Sequence, residues 1–226
     1  MEPFVFQDLG RIEYTKALTI QTTAFEAILA AKARGEKCEN KLFFCEHEPV
    51  ITLGKNGLPS NLLISEKHLK DKGISFYPTN RGGDITYHGP GQITGYPVFD
   101  LETFGMGLRQ YIETLEEIII RLLDMYGIHG ERLAGATGVW LDTQTARARK
   151  ICAIGVRSSR FVTMHGFALN VSTDLRAFSL IHPCGFTDKG VTSLAMELNR
   201  AIDIEDVKIR LRKIFNEIFF RFFFKR

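Results

Sequence analysis

Arg81-Gly-Gly-Asp-Ile-Thr-Tyr-His-Gly-Pro-Gly-Gln92 packs four glycines and a proline into twelve residues. Glycine lets backbone approach a ligand closely or take positive φ without a Cβ clash. The pair Gly82-Gly83 followed by Ile85-Thr86-Tyr87 reads as a loop passing into a short strand, and Gly89-Pro90-Gly91 reads as a second turn. A tight hairpin with no ligand is the plain reading. The company argues for more, because Arg81, Thr86, His88 and Gln92 place four hydrogen-bonding side chains on one compact segment. The spacing matches neither a phosphate loop ending in Gly-Lys-Ser/Thr nor a Gly-x-Gly-x-x-Gly turn, so it does not name a nucleotide.

Strands are expected on either side of this segment. Ile74–Pro78 feeds it and Gly95–Leu101 leaves it. Upstream, Leu42–Cys45 and Val50–Leu53 are β-rich runs separated by Glu46-His-Glu-Pro49, where His47 is expected as a surface loop residue. Gly54–Gly57 reads as a turn carrying a solvated Lys55, and Phe4–Gln7 as a short strand. Apolar residues recur at helical intervals over Tyr14–Arg34, with Gly35 as terminator, and more clearly over Leu108–Tyr126, closed by Gly127. Glu113, Glu116 and Glu117 are assigned to the solvated side of that second helix.

From Gly138 the pattern returns to strands: Gly138–Trp140, Ile151–Val156, Phe161–Thr163 and Gly166–Val171. Arg147 and Arg149 are expected to be exposed at a strand entrance. Ile204–Phe222 is again helical in spacing, and the Phe-rich tail Phe219–Phe224 is expected to pack on the body or on a partner. This loose alternation implies an α/β chain, a mixed β-sheet flanked by helices.

The 226 residues suffice for one sizeable core and are few for two full domains, so one domain over 1–226 is expected. With 45% hydrophobic and 24% charged residues the composition is that of an ordinary globular protein. A net charge of +3 is too small to argue for nucleic acid, though it suits an acidic protein partner. There is no basic leader followed by an apolar run, and no stretch of about 18 apolar residues, so neither a signal peptide nor a membrane span is expected. A cytoplasmic location with reduced thiols follows as an expectation. None of the four cysteines forms a Cys-x-x-Cys pair, and no metal is expected.

His182-Pro-Cys-Gly185 sets a thiol on a loop between a stiffening proline and a glycine. Cys45 and Cys152 sit in apolar strands and read as packing, and Cys38 as a bystander. A thiol attacks as thiolate, with a free pKa of about 8.5, so a neighbouring cation is needed. Lys150, Lys189, His165 and His182 are the candidates, and sequence distance leaves the choice open. Lys150 opens the strand containing Cys152 and Ile154, which would hold it at fixed depth.

Four segments in this order resemble the octanoyltransferase family, also called lipoate-protein ligase B. They are Arg81–Gln92, Lys150-Ile-Cys-Ala-Ile-Gly155, His165-Gly-Phe-Ala-Leu-Asn170, and Pro183-Cys-Gly185 with Thr192-Ser-Leu194. The resemblance runs from about Tyr14 to Leu198, and departs at Phe161, where such enzymes commonly have tryptophan, and in the Phe-rich tail. It implies the catalytic-domain fold of lipoate and biotin protein ligases, and transfer of an octanoyl group from octanoyl-acyl carrier protein to a lysine of lipoyl domains, the first step of endogenous protein lipoylation. Those domains belong to 2-oxoacid dehydrogenase subunits and the glycine cleavage H protein.

The resemblance further implies Cys184 as acyl-thioester nucleophile and Lys150 as the residue that lowers its pKa and relays protons. Substrate contacts are implied for Arg81, Gly82, Gly83, Asp84, Ile85, Thr86, Tyr87 and His88, for Ala153, Ile154 and Gly155, and for Gly166, Phe167 and Ala168. No cofactor is implied. An ATP-dependent lipoate or biotin ligase of the same fold, and a non-enzymatic acyl-binding or redox module, are the alternatives.

Overall fold

The structure, a computed structural model, describes residues 2–182 and 189–224. In chain order its elements are β1 (Val5–Ile12), α1 (Tyr14–Ala33), β2 (Lys41–His47), β3 (Val50–Leu53), α2 (Glu66–Asp71), β4 (Ser75–Pro78), β5 (Ile85–His88) and β6 (Gln92–Val98). There follow α3 (Leu108–Asp124), β7 (Glu131–Leu133), β8 (Ala136–Leu141), β9 (Arg149–Ser159), β10 (Val162–Asn170), β11 (Gly190–Val191), α4 (Leu194–Leu198) and α5 (Ile204–Phe223). The large sheet runs β1-β2-β6-β10-β9-β8-β7, with β11 added in parallel to the start of β9, and a second sheet runs β4-β3-β5. This is the expected mixed sheet flanked by helices.

Period-two alternation sorts side chains to the two faces of the large sheet. On β2, Leu42 and Phe44 enter the core beneath α3 and α5, while Phe43 and Cys45 enter a smaller core beneath α1. Helix α3 presents Tyr111, Leu115, Ile118, Ile119, Leu122 and Leu123 to the first core, each without solvent exposure. Helix α1 buries Ala17, Ala24, Phe25 and Ile28 against the second. A third cluster, built on Ile51, Leu69, Ile85, Tyr87 and Phe178, holds the small sheet. Replacing a fully buried side chain such as Ile118 by alanine costs about 2–5 kcal/mol.

The Phe-rich tail packs on the body through Phe219, which meets Phe4, Phe99 and Phe104 with ring centroids 4.9 to 6.3 Å apart. Phe220 and Phe224 remain about half exposed.

Several sequence readings are corrected. The two expected strands Phe161–Thr163 and Gly166–Val171 are one continuous β10, even though His165 within it has φ +60°. Helix α2 was not anticipated; Ser65 starts it by accepting the His68 N–H. His47 is no surface residue. It ends β2 fully buried, because its ring bonds the Ile12 carbonyl and the Tyr96 hydroxyl. Glu116 is buried, with one carboxylate oxygen accepting the Gly138 N–H at 3.0 Å and the other 3.2 Å from Arg132. Arg149 is held by Glu197 and Asp142 at 2.5 to 2.7 Å.

Candidate active site

A cavity of about 430 Å³ lies between the α1 face of the large sheet and the small sheet. The register builds its floor. Ala153 of β9 faces Ala168 of β10, which faces Thr94 of β6, and Gly155 faces Gly166 in the next row. Four small residues in neighbouring rows leave a trough where larger side chains would fill it. Ala153, Ile154, Gly155, Gly166, Phe167 and Ala168 all line the cavity.

The glycine segment forms the opposite wall. Residues 81–84 are clipped to the Gly54–Gly57 turn through Lys55 N–H to Arg81 O, Asn56 N–H to Gly83 O, and Gly54 N–H to Asp84 O. Gly82 N–H then donates to Val156 O at 2.9 Å, joining the loop to β9. A Cβ on Gly155 would stand 2.6 Å from Gly82 O, so this crossing requires glycine. Arg81, Gly83, Asp84, Ile85, Thr86 and His88 line the cavity. Gly82 and Tyr87 are outside that lining. Tyr87 points to the other face of β5 and packs edge-on against Phe178 at 5.7 Å.

His88 is held by a polar chain that sequence reading missed. Gln92 turns its amide nitrogen to Asn170 Oδ1 at 2.9 Å, so its oxygen faces His88 Nδ1 at 2.7 Å and that nitrogen carries the proton. Asn170 in turn donates to Thr192 O. Burial, with help from the nearby Arg81 charge, pushes the His88 pKa down to about 3. Burial lowers His165 to about 3 as well, so this candidate cation is a neutral ring, bonded to Asn80. Tyr14, Thr94 and Tyr96 add further polar lining. The signal for Thr94 and Tyr96 is periodicity: with Gln92 they alternate along β6 and so share the cavity face.

Lys150 stands at the cavity's edge. On one side of it in the sheet is Trp140 of β8, on the other Val191 of β11. The β8–β9 register shifts just beside it, which re-aims the side chain. Its Nζ donates to Thr137 O at 3.1 Å and lies 4.6 Å from the Trp140 ring centroid.

Cys184 lies outside the described residues. Both flanks of its segment are anchored. Ile181 bridges Leu62, and His182 N–H donates to Asn61 O. On the far side, Gly190 and Thr192 N–H groups donate to the carbonyls of Ala148 and Lys150. Burial drives the thiol pKa of Cys45 and of Cys152 upward, which makes both inert, and Cys38 is exposed. Among the described residues no three His, Cys, Asp or Glu side chains gather where they could hold a metal ion.

The family described as the lipoyl protein ligase A/B catalytic domain matches residues 19–216. An octanoyltransferase of Parabacteroides distasonis is 68% identical over 97% of this chain and 100% of its own length. One from Bacteroides fragilis strain YCH46 is 58% identical over 90% and 92%. The chain belongs to the octanoyltransferase family.

Solved structures agree at the level of the fold. A bipartite lipoate protein ligase from Thermoplasma acidophilum superposes with a TM-score of 0.70 at 18% identity, over 96% of this chain and 83% of that one. A lipoate-protein ligase A bound with ATP gives 0.68 at 18% identity, over 96% and 85%. Among the described residues no helix is long and apolar enough to cross a membrane.

Proposed function

We propose that this octanoyltransferase-family chain carries the octanoyl group on Cys184 between an acyl carrier protein and a lipoyl-domain lysine. The cavity beside Lys150, floored by Ala153, Gly155, Gly166 and Ala168, is the observation that supports this reading. Such a trough suits an unbranched apolar chain, and each buried methylene contributes about 0.8 kcal/mol.

In the first half-reaction the Cys184 thiolate attacks the thioester carbonyl. The new C–S bond forms as the bond to the carrier's sulfur breaks, and the carrier leaves as its thiol after gaining a proton. In the second, the lysine ε-amine attacks the acyl-enzyme, the C–S bond to Cys184 breaks, and an amide forms. Charged Lys150 stabilises the thiolate and gives its proton to the departing carrier sulfur; then neutral, it takes the proton of the attacking amine, so that the second step returns the Lys150 ammonium and the Cys184 thiolate. The intermediate divides one transfer into two lower barriers. Because a thioester is consumed and an amide made, no ATP is needed. The acceptors are the lipoyl domains of 2-oxoacid dehydrogenase subunits and the glycine cleavage H protein.

Intact-mass analysis after incubation with octanoyl-acyl carrier protein tests this. Wild type gains one octanoyl group, which passes to added lipoyl domain without ATP. Cys184→Ala gains none. A persistent adduct on Cys184→Ala, or a requirement for ATP and free octanoate, overturns the proposal.

A further inference from the structure

We infer that Glu116, buried on α3, is a positioning residue for Lys150, acting through the single peptide unit between Thr137 and Gly138. This rests on the reading of Lys150 given above. The N–H of that unit donates to Glu116 Oε1 at 3.0 Å, and its carbonyl oxygen accepts from Lys150 Nζ at 3.1 Å. The two bonds leave opposite ends of one rigid amide plane, so Glu116, the peptide and Lys150 form a line. A carboxylate at the N–H end polarises the amide and strengthens the bond at the carbonyl end.

Two further observations set this apart from an ordinary buried acid. Glu116 falls in the apolar stripe Ile112, Ile119, Leu123 of α3, where a carboxylate costs stability unless it is paired. Gly138 has φ +120°, a rotation of this same peptide that side-chain-bearing residues rarely adopt. A Cβ there would lie 2.5 Å from Cys152 O and 3.5 Å from Lys150 Cε. The peptide is therefore turned to an unusual angle, and Glu116 holds its donor end. Arg132, 3.2 Å from Glu116 Oε2, fixes the carboxylate from the solvent side.

The test is a double-mutant cycle on full-length protein, read by the rate of octanoyl transfer and by the pH profile of Cys184 alkylation, followed on the Cys184 peptide so that exposed Cys38 does not contribute. Glu116→Ala is expected to lower kcat roughly tenfold with KM little changed, about the effect of orphaning one buried donor. It is also expected to move the alkylation profile to higher pH, in the direction of Lys150→Ala. In the Lys150→Ala background the same substitution is expected to add nothing. If Glu116→Ala does not fold, Glu116→Gln, which retains an acceptor but no charge, should show a smaller change of the same sign. An unmoved profile in both Glu116 variants, or a Glu116→Ala loss that persists undiminished without Lys150, overturns the inference while leaving Lys150's role intact. If Lys150→Ala itself leaves the profile unmoved, the underlying reading of Lys150 fails instead.

Discussion

Arg81 is bound to Thr52 three times over: Nη2 donates to the Thr52 carbonyl at 2.7 Å and to its hydroxyl at 2.9 Å, and Nε donates to that hydroxyl at 3.2 Å. Both residues are buried. The guanidinium thus fastens the glycine loop to β3, and its lining of the cavity is a consequence of that clamp. Lysine cannot reproduce a planar fork. Arg81→Lys is expected to lower stability by about 3–6 kcal/mol, since hydrogen bonds to charged groups contribute about 1.5–3 kcal/mol each and two of the three are lost. Urea unfolding checks the stability, and acyl-enzyme formation should slow in step with the loosened wall. Wild-type stability in Arg81→Lys would show that the clamp is dispensable.

The floor of the cavity predicts chain-length selection. Ala168 lies between Ala153 and Thr94 in one row across three strands. Ala168→Leu should occupy the space of several methylenes, each worth about 0.8 kcal/mol when buried. The variant is expected to transfer butanoyl groups nearly as well as wild type and octanoyl groups at least tenfold more slowly. Competition between butanoyl and octanoyl carrier thioesters, read by mass of the acyl-enzyme, measures this directly. An unchanged ratio would move the acyl chain elsewhere.

Buried neutral histidines predict a pH-dependent stability. Burial is the main cause of the lowered pKa of His47, to about 4, and of His88 and His165, to about 3. An unfolded histidine titrates near 6.5. Between these values the unfolded chain binds more protons than the native one, so stability rises with pH. The contribution is complete above about pH 6.5 and is lost as pH falls toward 4, by up to about 1.4 kcal/mol per histidine per pH unit. Urea midpoints should hold above about pH 6.5 and fall from there to about pH 5, and His165→Asn should flatten the slope by about one proton. A flat wild-type profile would mean that these rings are charged or solvated.

What the sequence made legible follows the periodicities. The helical spacings of α1 and α3 and the β-rich run of β2 are local signals, and those elements formed where they were read, whereas the strand expected over Gly95–Leu101 runs over Gln92–Val98. The glycine wall and the floor residues were recognisable because each segment is contiguous. His47 was misread because Glu46-His-Glu-Pro49 is polar locally, whereas its burial depends on Tyr96, 49 residues away. Glu116 was misplaced by its charge, although its spacing from Ile112 and Ile119 put it on the apolar side. The Gln92–Asn170 bond spans 78 residues and leaves no local trace. Lys150 could be named only through the resemblance, since four cations were open on sequence grounds.

Strand β11 is fixed beside Lys150 from outside the sheet. Glu197 of α4 takes Arg149 in a two-pronged bond at 2.7 and 2.6 Å, and also accepts from the Thr192 hydroxyl. The Arg149 bond holds the Glu197 carboxyl below its ordinary pKa range. Strand β11 is only two residues long, so its pairing with Arg149 and Lys150 needs this support from outside the sheet. Glu197→Gln keeps the shape and removes the charge. Because the pair is partly exposed, the expected loss of stability is only about 1 kcal/mol. Acyl transfer should fall by more than that loss explains, about tenfold, with amide exchange accelerated at Thr192 and Gly190 and unchanged at β10. Equal exchange at all three places would show that Glu197 supports the fold at large and not the β11 junction beside Lys150.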